Sequence, residues 1–145
     1  MILVLNGPNL NLLGKREPRL YGRTSLADLN ELCSRWAREL KTEARCRQSN
    51  HEGEIIEWLH GAAAEGAGGV VLNPGGYSHT SVAIRDAISA VELPVIEVHL
   101  SNIFAREAFR HVSLISAVCR GSIAGLGPLS YKAALTAMVA LLAEE

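Results

Sequence analysis

The stretch Asn6–Arg23 gathers Lys15, Arg16, Arg19, Arg23 and Tyr21 within one loop-like segment. A cationic loop with one tyrosine can close over an anionic substrate, and positive charge beside a phenol favours the phenolate and lowers its pKa. The same residues also suit a solvated basic loop. Two histidines form a second group. His79 and His99 each follow an apolar run that reads as a strand, so both can face one crevice, where imidazole suits proton transfer near neutral pH or binding of hydroxyl groups. A helix-capping His79 and a satisfied strand-end His99 explain the pair equally well. His51 opens a helical pattern, His60 rides on one and His111 sits in a polar stretch, so these three read as ordinary. Arg106 and Arg110, four residues apart, are expected on one helical face near Leu100 and Ser101. The backbone amides after His99 can bind a carboxylate beside them. An exposed Arg106 paired with Glu107 is the competing reading.

Several familiar chemistries lack their residues. There is no HExxH and no His/Cys cluster at ligand spacing, so no metal site is expected. The glycines Gly75, Gly76, Gly121, Gly125 and Gly127 match neither GxGxxG nor a P-loop, and no GxSxG elbow exists. A phosphoryl-accepting receiver needs acids where this chain has Asn6 and Asn73. Lys15, Lys41 and Lys132 all fall outside the strand patterns, where a desolvated amine for imine chemistry would most easily arise.

The elements that must position these residues are short apolar runs alternating with helical patterns. Ile2–Leu5 is a continuous apolar strand, as expected where both faces of a parallel sheet are covered. Leu26, Leu29, Cys33, Trp36 and Leu40 recur at helical spacing after a Ser25/Asp28 capping box. Ala44–Gln48 is a weaker strand, nearer an edge. A helix is predicted over Glu54–Glu65 with Gly66 as its stop, a strand over Gly69–Leu72, a helix over Thr80–Val91 and a strand over Pro94–Val98. A helical turn near Ala105–Phe109, a weak strand at Ser122–Ala124 and a final helix from Pro128 to Leu142 complete the pattern. Such alternation means parallel βαβ units. The expected fold is α/β, a flavodoxin-like doubly wound sandwich with a five-stranded parallel sheet in the order 2-1-3-4-5. Just past the strands come Asn6-Gly7-Pro8-Asn9, Gln48-Ser49-Asn50-His51, Asn73-Pro74-Gly75-Gly76, His99-Leu100-Ser101-Asn102 and Gly125-Leu126-Gly127. In open α/β sheets the carboxyl-end loops form the ligand crevice, so this rim of amides, imidazoles and glycines is the expected site.

Composition fits that picture. The 145 residues suit one domain, with no repeat or linker to mark a boundary, and 48% apolar with 20% charged residues is a globular profile. A net charge of −1 argues against a nucleic-acid partner or an acidic membrane surface. No segment reaches the roughly 18 apolar residues of a spanning helix, and Met1–Leu5 is too short for a signal peptide. Cys33, Cys46 and Cys119 form no CxxC and read as reduced, mostly buried thiols of a cytoplasmic protein.

The runs Asn6–Gly14, Arg16-Glu17-Pro18, Tyr21-Gly22, Arg47–Gly53, Asn73–Ser81, Ile96–Asn102 and Gly121–Gly127 together resemble the type II 3-dehydroquinate dehydratases, in order over essentially the whole chain. Gly76 stands where many members carry alanine. The resemblance implies a cofactor-free hydro-lyase of the shikimate pathway or of quinate catabolism, converting 3-dehydroquinate to 3-dehydroshikimate by anti elimination of water through an enolate. Tyr21 then matches the general base and Arg16 the lid arginine that favours its phenolate. Asn9 matches the holder of a water near the enolate oxygen, and His99 the acid that assists departure of the hydroxyl. Asn73, His79, Arg110, Leu100 and Ser101 match the hydroxyl- and carboxylate-binding set. Glu97 matches an acidic neighbour whose role stays open. Asp86 matches a residue that reaches an adjacent subunit's site in a homododecamer of trimers. A hydrolase using the same basic loop and an oligomeric binder of small carboxylates are the alternatives, separable by turnover of 3-dehydroquinate.

Overall fold

The computed structural model describes residues 1–15, 19 and 23–145. Five strands, β1 (Ile2–Asn6), β2 (Ala44–Gln48), β3 (Gly69–Asn73), β4 (Val95–His99) and β5 (Gly121–Ala124), form one parallel sheet in the order β2-β1-β3-β4-β5. The fold is therefore the expected flavodoxin-like α/β sandwich. Among the described residues, α1 (Leu26–Glu39), α2 (Glu52–Gly61), α3 (Val82–Ala90) and α4 (Leu129–Ala143) cover it.

Side chains alternate across a strand, so each strand feeds two cores. Ile2, Val4, Val71, Ile96 and Val98 pack with Leu29, Cys33 and Trp36 of α1 and with Tyr131, Leu135 and Met138 of α4. Leu3, Leu5, Val70, Leu72 and Val95 face the other way, against Ile55 and Leu59 of α2 and Ile84 and Ile88 of α3. The strands β1, β3 and β4 are buried throughout, which explains the apolar runs of β1 and β3 and makes Glu97 and His99 of β4 stand out. The edge strands β2 and β5 are partly exposed, and that is why their sequence patterns are weak.

The boundaries follow capping chemistry. Ser25 accepts from the Asp28 amide while Asp28 accepts from the Ser25 amide, the predicted capping box. Helix α2 differs from expectation: it starts at Glu52 after His51 and ends at Gly61, and Gly66 closes a further turn, at φ +93°. Helix α3 starts two residues later than predicted because Ser81, not His79, caps it by accepting from the Ile84 amide. The predicted single turn near Ala105–Phe109 is instead a pair of 3-10 turns, Ile103–Ala105 and Ala108–His111, separated by an extended Arg106.

Two glycines bring the loops after β1 and β3 together. A Cβ on Gly7 would lie 2.6 Å from the Pro74 carbonyl oxygen, and Gly75 holds φ +57° with Pro8 against it. Any larger residue at Gly7 would force these loops apart.

Candidate active site

A cleft of about 150 Å³ opens at the carboxyl ends of β1, β3 and β4, bordered by Asn9, Asn73, His79, His99, Arg106 and Arg110, with Leu100 and Ser101 in its wall. Its place follows from the parallel sheet: the loops after β1, β3 and β4 all leave the same edge, and β1 and β3 flank the point where the strand order reverses.

Asn9 is held at the mouth in the left-handed conformation, φ 70°, where asparagine is tolerated better than most residues. Its amide donates to Asn50 Oδ1 (2.9 Å), which also accepts from Gln48 Nε2 (3.1 Å), while Gln48 Nε2 donates to the Gly7 carbonyl. Tyr77 pins the Asn50 carbonyl from the far side at 2.9 Å. Two loops far apart in sequence are thus tied into one wall.

His99 and Glu97 leave β4 on the same side, because two residues is one strand repeat. Glu97 is fully buried and its Oε2 lies 2.6 Å from His99 Nε2. Ser113 donates to both carboxylate oxygens and Ser116 to Oε1. Burial pushes this carboxyl's pKa up, but the bonds from His99, Ser116 and Ser113 outweigh it and hold the pKa below its ordinary value. A carboxylate only accepts, so His99 Nε2 carries a hydrogen and Nδ1 is left for the cleft. The ring then has a second proton to give only as imidazolium.

His79 lies at the end of a 3-10 turn, Gly75–His79, and its Nδ1–H donates to the Val112 carbonyl at 2.8 Å. That bond makes Nε2 the acceptor in the neutral ring. Phe109 meets its ring edge-on at 6.3 Å. Arg110 stacks on Phe109 with 4.9 Å to the ring centre, and its Nε donates to Glu107 at 2.5 Å. The expectation that Arg106 and Arg110 share a helical face fails, since Arg106 is extended between two short turns. Both still border the cleft. Arg106 donates to Ser101 Oγ at 3.3 Å, and Glu107 pairs with Arg110.

Asp86 is exposed on α3, away from the cleft of its own chain. The neighbouring Arg85 donates to the Leu114 carbonyl at 2.6 Å. Arg16 and Tyr21 lie outside the described residues. Ser113 and Ser116 were not singled out by sequence, and Gln48 and Asn50 only as members of the rim. Glu97 carried a legible signal, an acid between Ile96 and Val98 at strand spacing from a histidine. The serines carried none, being small polar residues in an irregular segment.

The model of the family described as dehydroquinase class II matches residues 1–139. The chain belongs to the class II dehydroquinase family. A 3-dehydroquinate dehydratase of Thermus thermophilus is 56% identical over 135 residues, covering 93% of this chain and 91% of that protein. One from Halalkalibacterium halodurans is 54% identical over 138 residues, covering 95% and 94%. The crystal structure of a type II dehydroquinase from Propionibacterium acnes superposes with a TM-score of 0.92 at 47% identity, covering 96% of this chain and 95% of that one. For a class II dehydroquinase, the cleft lies where the flavodoxin-like fold places a ligand. No helix among the described residues is long and apolar enough to cross a membrane.

Proposed function

We propose that this class II dehydroquinase dehydrates 3-dehydroquinate to 3-dehydroshikimate, the activity named for its relatives. The observation that carries the reading is the buried Glu97–His99 pair set in a cleft with Asn9, Asn73, His79 and Arg110. Such a site offers proton transfer, hydroxyl binding and a cation for a carboxylate in one place, the set an elimination from a hydroxylated carboxylate ring needs.

Tyr21, as phenolate, takes the proton from the carbon beside the ketone, and the electron pair moves into the carbonyl to give an enolate. An unperturbed tyrosine titrates near ~10, so Arg16 must favour the anion, each unit of lowering being worth about 1.4 kcal/mol. Asn9 holds a water near the enolate oxygen. His99 gives a proton to the departing hydroxyl, which leaves as water while the enolate collapses to the enone. His79 and Asn73 bind ring hydroxyls, and Arg110 with the amides of Leu100 and Ser101 binds the carboxylate. No cofactor takes part. Residues 1–145 form a single catalytic domain of a cytoplasmic enzyme, working as a homododecamer of trimers in which Asp86 reaches a neighbour's cleft.

Purified protein given 3-dehydroquinate should produce a rise in enone absorbance. Absence of turnover by the assembled protein would overturn the assignment.

A further inference from the structure

One buried titratable group has no part in that scheme. Tyr131, in α4, is wholly buried, and burial pushes its phenol pKa up, so it stays a neutral hydroxyl. A buried tyrosine hydroxyl requires a partner, and this one has two. Tyr131 donates to Asn6 Oδ1 at 2.5 Å and accepts from Asn73 Nδ2 at 2.8 Å.

Asn6 and Asn73 end β1 and β3 and stand opposite each other in the parallel register. Their side chains differ in what else they touch. Asn73 borders the cleft and its Oδ1 accepts from the Gly75 amide at 3.1 Å. Asn6 is fully buried and its Nδ2 has no partner among the described residues.

The polarity of this chain of bonds is set at one end. A backbone N–H can only donate, so Gly75 fixes which end of the Asn73 amide is oxygen. The NH2 end must then face Tyr131, whose oxygen accepts and whose single proton goes on to Asn6. Each link leaves the next only one direction. Asn73 is left with one N–H and one oxygen lone pair uncommitted, and those are what it can offer to the cleft.

We infer that Tyr131 is a positioning residue for the substrate: through the Asn6–Tyr131–Asn73 chain it locks the Asn73 amide in the orientation that binds a ring hydroxyl. This rests on the proposed dehydration of 3-dehydroquinate and deepens it. A rotation of the Asn73 amide would exchange donor and acceptor toward the substrate. With Gly75 at one end and Tyr131 at the other, that rotation breaks two bonds at once. Without the hydroxyl it breaks one. The unpaired Asn6 Nδ2 fits the same account, since the Asn6 amide spends its oxygen on the tyrosine and leaves its own donor unsatisfied.

Three measurements test the inference. In Tyr131→Phe, which keeps the ring in the core, KM for 3-dehydroquinate should rise about five- to tenfold, with kcat within about threefold of the parent. Added to Asn73→Ala, the same change should raise KM little further, because the residue it acts through is already gone. A purely structural loss would instead multiply the two effects, and that result overturns the inference, as does an unchanged KM. Asn6→Ala leaves Tyr131 in place but frees its proton to turn toward Asn73, so KM should rise there too, and this variant decides if the tyrosine variant does not fold. The third measurement needs no turnover. The Asn73 side-chain NH2 signals should be exchange-protected in the parent and lose that protection in Tyr131→Phe, and retained protection would overturn the lock. A parent enzyme that does not turn over 3-dehydroquinate removes the proposed activity alone, and the amide signals still decide whether Tyr131 holds Asn73.

Discussion

Glu97 Oε2 lies 2.6 Å from His99 Nε2, one strand repeat away, with the carboxylate wholly out of solvent and two serines bonded to its oxygens. Removing only the charge, Glu97→Gln, leaves the ring without the anion that accompanies its imidazolium form. We expect kcat to fall about tenfold to a hundredfold with KM nearly unchanged, less than the loss of the acid itself. The folded-state pKa of Glu97 lies below its ordinary value of 4.5. A carboxyl depressed in this way contributes stability above its unfolded pKa and loses it as pH falls through the folded one. The parent should therefore lose stability from about pH 5 downward, and Glu97→Gln should show a shallower decline in thermal melts across that range. An equally steep decline in both proteins would count against the network.

The two histidines should part kinetically. His99→Ala is expected to lower kcat by about 10²–10⁴-fold, the usual worth of a positioned acid. His79→Ala should act mainly on KM, since its Nδ1 is committed to the Val112 carbonyl and only Nε2 remains for a hydroxyl. The opposite pattern in steady-state kinetics would exchange their roles.

Arg16 and Tyr21 are five apart in the sequence and are proposed to serve one proton transfer. Tyr21→Phe keeps the ring and removes the acceptor, so turnover should collapse while the melting temperature holds. Arg16→Ala should lower kcat, and the double variant should be little worse than the worse single one, because groups that act as a unit are non-additive. Arg16→Lys should recover only part of the rate, lacking the planar guanidinium fork. Near-parent turnover in Tyr21→Phe would remove the proposed base.

An enolate route forms no imine. Lys15, Lys41 and Lys132 are all exposed, so none has the desolvated setting that imine chemistry uses. Borohydride added during turnover should leave both activity and the intact mass unchanged. A reduced adduct on any lysine would replace the enolate with a Schiff base.

Asp86 on α3 is solvent-facing in the single chain, as a residue serving a neighbour's cleft must be. Asp86→Ala should weaken trimer association in sedimentation, or raise KM, while circular dichroism stays that of the parent. A fully active monomer would sink the shared site.

The alternation of apolar strands with helical patterns determined a parallel sheet, because βαβ connections cross over right-handed, while the order 2-1-3-4-5 was the default expected of five such strands. It also placed Asn9, Asn73, His79, His99, Leu100 and Ser101 at one rim, since parallel strands all end at the same edge. The resemblance of the long motifs gave roles to Arg16 and Tyr21, which periodicity alone left as a basic loop. Element ends were less legible. Choosing Ser81 over His79 as the cap of α3, or breaking the helical reading between Arg106 and Arg110, depends on which amide finds a partner once the chain has packed. Hydrogen-bond direction was not legible at all. That Ser113 and Ser116 hold Glu97, or that Tyr131 ties Asn6 to Asn73 across 125 and 58 residues of chain, follows only when burial removes water and obliges each polar atom to find a protein partner. Residue type and spacing set which groups reach the cleft, and tertiary packing alone decides which way each one donates.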